Sequence, residues 1–375
     1  MTDIGFVRSH LEESRPAPHR TSGPLAWMQK NLFASPLDTG LTILGLLFLL
    51  WVVPPLFNFF IGHAVFPGGT VEDCRALNAG ACWAYIYSEI EFFIYGFYDI
   101  DQLWRPNLVF LLGALLLIPL AIPKAPYKGL NAVLFLVVYP IVSYYLLAGG
   151  VFGLRVITTE KWGGLLVTLI LSVIGITLSF PLGVILALGR QSQMPVIKTL
   201  CVAFIELIRA VPLITILFMA SIMLPLFMPQ GTTVDKFLRA LVGVTLFTSA
   251  YMAEVVRGGL QAIPRGQYEA AAALGLNYWQ RMFFIILPQA LKHVIPGIVN
   301  SAIALFKDTS LVYIVGMKDL LEAVKTKNDS ALEWQSSNTS TTGYIFAAMV
   351  FWAFCFGMSR YSIFMERRLN TGHKR

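Results

Sequence analysis

Three stretches of this 375-residue chain hold ionisable or polar side chains inside runs that are otherwise apolar. AYMAEVVRGG sets Tyr251 and Glu254 three residues apart, on one helical face, with Arg257 a further three on. NSAIALFKDTSLVYIVG embeds Lys307 and Asp308, and Asn300 stands seven residues before Lys307, two helical turns and so roughly the same face. Charges in such surroundings are costly and mark candidate binding positions. Asp308 suits an ammonium group, while Lys307 suits either a carboxylate or the neutralisation of Asp308. Thr309 and Ser310 add hydroxyls that serve a ligand or simply satisfy backbone carbonyls. Glu254 lies near the end of its span, where it fits a salt bridge with Arg257 or a structural brace for the loop that follows. ELIRAVPLI spaces Glu206 and Arg209 for an intrahelical ion pair, and Pro212 then predicts a kink.

The elements that carry these groups are membrane spans. The chain is 56% hydrophobic and 13% charged, against about 25% charged residues in soluble domains. About 20 apolar residues cross the hydrocarbon core. Eight stretches approach or exceed that length: 41–61, 107–122, 130–152, 164–188, 199–228, 237–256, 290–304 and 344–364. The reading is an all-α integral membrane protein of about eight transmembrane helices. Its net charge of +7 fits basic residues retained in cytoplasmic loops better than nucleic acid binding. Lys124, Lys128, Arg190, Lys198, Arg257, Arg265, Arg281, Arg360, Arg367, Arg368, Lys374 and Arg375 all fall on one side if the N-terminus is inside. The polar first forty residues, with Arg8, Arg15, Arg20 and Lys30, then form a cytoplasmic tail.

Four regions are expected: the tail 1–40, a three-helix accessory region 41–155 with an external loop 62–106, a working core 156–366, and a tail 367–375. The external loop holds Cys74 and Cys82, for which a disulfide is plausible in an oxidising compartment. A zinc site has less support, since no second Cys/His pair accompanies them.

Between the sixth and seventh spans, EAAAALGLNYWQRMFFIILPQA runs from Glu269 to Ala290 with polar groups at set intervals. Pro264 suits a helix start and the four alanines propagate it. Gly275 supplies a stop, and Asn277 with Gln280 resembles a capping box for a second helix. Pro288 marks a kink or boundary before the next span. The result is a hairpin within 257–289, on the cytoplasmic side, with Glu269 and Arg281 as polar anchors. It fits either a protein partner or the lipid interface.

The spacing of Glu269, Ala270, Ala271, Gly275, Ile285, Leu287 and Pro288 resembles the EAA loop of ABC importer permeases, which docks on a separate ATPase. The surrounding AYMAEVVRGGLQAIPRGQYEAA and LPQALKHVIPGIVNSAIALFKDTSL resemble the polar amino acid permeases, over about residues 160–365. The resemblance implies a type I core of five helices, here preceded by three more, as in the longer permease of general L-amino-acid importers. It implies a bacterial inner-membrane protein with both termini cytoplasmic. Its implied partners are ABC ATPase subunits that bind ATP and Mg, a second homologous permease and a periplasmic amino-acid-binding protein. It also implies that Tyr251, Glu254, Asn300, Lys307, Asp308 and Ser310 contribute to an amino acid pocket. Glycine-rich phosphate loops, metal-ligand spacings and nucleophile triads are not apparent in the sequence, so the chain is expected to be a transport subunit and not an enzyme. The alternatives are an ion-gradient-driven secondary amino acid transporter, with Glu254 or Asp308 carrying a proton, or a non-transporting membrane scaffold.

Overall fold

The computed structural model describes residues 23–122, 125–151, 153–229 and 234–369. Arg8, Arg15, Arg20, Lys124, Phe152, Lys374 and Arg375 lie outside the described residues.

By contacts the chain groups into two units, residues 1–64 with 78–81, and residues 65–77 with 82–375. The first holds a short helix α1, Pro24–Asn31, and the long α2, Pro36–Gly62. Ser35 caps α2 by accepting a hydrogen bond from the Asp38 N–H at 3.1 Å, and Pro36 occupies the first turn, where its missing N–H is not needed. None of the α2 residues is buried, so its apolar surface suits lipid on all sides.

The second unit starts with three short helices, α3 Val71–Arg75, α4 Trp83–Ser88 and α5 Ile90–Tyr95. Spans α6, Ile100–Ala121, and α7, Lys128–Ala148, follow, and then α8, Gly164–Arg190. The α7 helix stops at Ala148, short of the expected Phe152, because Gly149 and Gly150 both take positive φ.

The expected single fifth span is two helices, α9 Pro195–Ala210 and α10 Leu213–Leu226, bent by 106°. Pro212 is the cause: it lacks an N–H and forces Val211 out of the helical region, to φ −108° and ψ 136°. The chain continues with α11, Lys236–Ala262, a short α12, Arg265–Ala273, and α13, Tyr278–Val315. The last helices are α14, Leu320–Ser330, and α15, Ser337–Leu369. Among the described residues, seven helices are long and apolar enough to cross a membrane, or eight if the α9–α10 pair counts as one span.

Helices α8 and α11 form the axis of this unit, with 50% and 61% of their apolar windows buried against 22% or less in the other spans. Small residues let them close up. A Cβ on Gly183 of α8 would sit 2.7 Å from the Met252 Cβ on α11, and one on Gly259 would meet the Ala290 carbonyl oxygen of α13 at 2.6 Å. The core around Leu166, Ile170, Val244 and Leu305 also takes in Val109 and Leu147, so α6 and α7 pack with α8 and α11. They are not set apart with α2.

The segment of residues 65–77 and 82–99 is folded onto the same unit. Cys74 and Cys82 are joined by a disulfide. The Cys82 N–H donates to the Thr342 hydroxyl at 2.9 Å, and the Tyr85 hydroxyl donates to Asn328 Oδ1 at 2.9 Å. Tyr85 and Phe93 pack with Leu320, Val324 and Ala347. Burial there raises the Tyr85 phenol far above its ordinary range. The segment expected as a loop is therefore a cap over α8, α14 and the start of α15.

Candidate functional site: a cavity between α11 and α13 and a hairpin below it

A cavity of about 480 Å³ lies between α11 and α13. Phe247, Thr248, Tyr251 and Val255 line it from α11, and Gly297, Asn300, Ser301, Ala304, Leu305 and Asp308 from α13. Both sets recur at three- and four-residue steps, one stripe per helix. Gly297 sets the approach of the two helices at the end nearer the hairpin, where a Cβ would stand 2.8 Å from Val255 Cγ1. Most of the wall is apolar. Asp308 is its one ionisable carboxylate, Asn300 contributes an amide and Tyr251 a phenol. The Ser301 hydroxyl donates to the Gly297 carbonyl at 3.0 Å and so is partly spent on its own helix. Such a wall suits a small polar solute held by few groups.

The structure brings Tyr251, Asn300 and Asp308 together in this lining and leaves Glu254, Lys307 and Ser310 outside it. Lys307 is exposed, and the Ser310 hydroxyl donates to the Lys307 carbonyl at 2.9 Å. Glu254 is held by arginines: it contacts Arg257 on its own helix, Arg190 at 3.4 Å and Arg209 at 3.5 Å. Glu206 pairs with Arg190 of α8 at 2.8 Å, and not with Arg209 as the i,i+3 spacing predicts. Thr248, Ser301 and Gly297 escaped the sequence reading, although each falls on the stripe that Tyr251 or Asn300 defines.

Beyond this end of α11 lies the hairpin. Helix α12 ends at Ala273, and Gly275 takes φ +76° with open space where a side chain would go. Asn277 caps the next helix: its side chain accepts from the Gln280 N–H at 2.9 Å, while its own N–H donates to Gln280 Oε1 at 3.0 Å. That helix does not end before Pro288. It widens into a π-helical stretch, Arg281–Ile286, and continues as α13 to Val315. The wider turn gives room to Pro288, whose ring would clash with the carbonyl four residues back in a regular helix. Pro288 is therefore no boundary.

The hairpin has two unlike faces. Ala271, Met282, Ile286 and Leu287 are buried with Leu260 and Ile263 of the α11 end. Glu269, Ala270 and Gly275 are exposed, Arg281 and Ile285 are half-buried, and Pro288 is exposed. Leu274, Trp279, Phe283 and Phe284 stand out as large exposed apolar groups, at 77%, 60%, 53% and 73%.

Comparison with known families decides the class. A family model described as "Binding-protein-dependent transport system inner membrane component" matches residues 179–371, which include α11, the hairpin and α13. The chain belongs to that family. As a member it is a multi-pass inner-membrane permease, and its all-α architecture of seven to eight spans agrees.

The permease is 50% identical over 359 residues, 96% of each chain, to the "Inner membrane amino-acid ABC transporter permease protein YhdY" of Escherichia coli (strain K12). It is 40% identical over 440 residues, 100% of each chain, to the "Glutamate/glutamine/aspartate/asparagine transport system permease protein BztC" of Rhodobacter capsulatus. A solved structure described as an amino acid ABC transporter with histidines is 29% identical, with a TM-score of 0.48, over 55% of this chain and 92% of that one.

Proposed function

We propose that this permease is the membrane-spanning subunit of an ATP-driven importer that moves L-amino acids across the bacterial inner membrane. The single observation that supports it most is the hairpin. Its inner face is packed against α11, which lines the cavity, and its outer face leaves Leu274, Trp279, Phe283 and Phe284 uncovered. Exposed apolar side chains grouped in one place suit a protein partner. The spacing from Glu269 to Pro288 matches the loop that docks on an ABC ATPase.

In this reading, ATP and Mg are bound by the ATPase subunits, whose closure pushes on α12 and the start of α13. That motion shifts the population between outward- and inward-open cavities. Asp308 meets the substrate ammonium, while Asn300 and Tyr251 supply hydrogen bonds. The amino acid class rests on what YhdY and BztC are described as carrying. A second homologous permease and a periplasmic binding protein complete the assembly. The hairpin and both termini face the cytoplasm, which puts Arg190, Lys198, Arg257, Arg265 and Arg281 inside, as the bias of basic residues requires.

Gentle detergent extraction of the tagged permease, followed by mass spectrometry, tests this reading. An ABC ATPase should co-purify, and should be lost when Trp279 and Phe283 are both replaced by Asp. An intact preparation that brings down no ATPase yet carries amino acids on an ion gradient would overturn it.

A further inference from the structure

Just past the hairpin end of the cavity, three arginines and two glutamates from three helices form one cluster. Arg190 closes α8, Glu206 and Arg209 lie near the end of α9, and Glu254 and Arg257 lie on α11. Arg190 reaches Glu206 at 2.8 Å and Glu254 at 3.4 Å, and Arg209 reaches Glu254 at 3.5 Å. The Arg209 guanidinium also stands 5.6 Å over the ring of Tyr251, a cavity wall residue. Its Nε is buried and has no hydrogen-bond partner.

Apolar packing also holds α9: Ile205 and Phe204 sit in one cluster with Leu188 of α8 and Val256 and Leu260 of α11. Ile205 is its one fully buried residue, and the helix ends at the 106° break before Pro212. The helix thus ends at a sharp break, with its ion pairs on the turn just before it. Arg209 and Arg190 reach Glu254 from other helices at 3.5 and 3.4 Å, while Arg257 keeps Glu254 satisfied without leaving α11.

We infer that Arg209, with Glu206, forms an ionic latch closing the hairpin end of the transport cavity. Release of α9 from Glu254 and Arg190 opens the path past Tyr251 and Val255 toward the cytoplasm. Arg209 acts here as a positioning residue: it holds α9 against α11 and lies against the Tyr251 ring. The inference rests on the alternating-access reading above and assigns the gate within it. It gives Glu254 a role as gate anchor rather than ligand contact.

The test is thiol labelling of the assembled importer in inside-out vesicles. Val255 is replaced by Cys in a background with Cys201 and Cys355 changed to Ser, and a membrane-impermeant maleimide is added from the cytoplasmic face. With vanadate-trapped nucleotide, which holds the cytoplasmic side closed, Arg209→Gln should speed labelling about tenfold, the scale of one charge-assisted bond. Glu206→Gln, at a more exposed position, should speed it too, and Arg209→Lys should keep the slow rate. Parental rates in both Arg209→Gln and Glu206→Gln, or equal rates in Arg209→Lys and Arg209→Gln, would overturn the latch. If the parent itself labels alike with and without vanadate-trapped nucleotide, alternating access fails instead.

Discussion

The two ends of the α8–α11–α13 core are finished in opposite ways. The end away from the hairpin is closed by the chain itself: a disulfide, two hydrogen bonds spanning more than 240 residues, and a packed layer of Tyr85, Phe93, Leu320 and Val324. That end leaves Leu77, Tyr87 and Leu332 exposed, but its cap is tied to α14 and α15. At the hairpin end, Leu274, Trp279, Phe283 and Phe284 stay exposed and Gly275 has open space around it. A surface that the chain covers for itself serves stability. In the proposed function the hairpin's uncovered side chains meet an ATPase, so substitutions at the two ends should fail in different ways.

The largest expected effect is at the capped end. Gly164 takes φ +62°, and a Cβ there would run into the Phe93 carbonyl oxygen, a backbone atom with nowhere to go. Gly164→Ala should cost about 3 kcal/mol or more, seen as loss of the monodisperse species and of the thermal transition in detergent. A variant that melts with the parent would mean that the cap is not a rigid part of the core.

A smaller, pH-dependent effect belongs to Asp319, which caps α14 by accepting from the Leu321 and Glu322 N–H groups, each at 3.1 Å. Burial outweighs those bonds and pushes its carboxyl up to about 6 from the ordinary 3.8. The folded state therefore holds this proton more tightly than the unfolded chain. The associated stability is present below about pH 4 and lost as pH rises through about 6, up to about 3 kcal/mol in all. Asp319→Asn keeps a capping side chain and removes the titration. Its melting temperature should change less between pH 4.5 and 7.5 than the parent's, and equal slopes would assign the pH dependence to another group.

Much of this architecture was legible in the sequence because its signals are local. The spans announce themselves as apolar runs, and Gly275, Asn277 and Gln280 specify their turn within six residues. Tyr251, Asn300 and Asp308 were singled out by polarity in apolar surroundings, a cost that holds wherever the helix packs. What stayed hidden is long-range. Nothing near Glu206 shows that Arg190 of α8 takes it from Arg209, and nothing near Tyr85 points to Asn328. Pro212 announced a bend but not its 106°, because the angle depends on what α9 and α10 pack against. Pro288 misled for a related reason: the π-helical turn that accommodates it has no residue signature of its own.

The smallest stability effect, and the sharpest functional one, is expected at Gly275. A side chain there meets no neighbour, so Gly275→Leu should cost only about 1 kcal/mol, from the left-handed backbone. The decisive measurement is amino acid uptake against ATP hydrolysis in proteoliposomes holding the whole importer with that variant. The account predicts normal insertion, near-parental melting and continued ATP hydrolysis, with uptake per ATP reduced about tenfold or more. Parental uptake per ATP at parental membrane levels would contradict it.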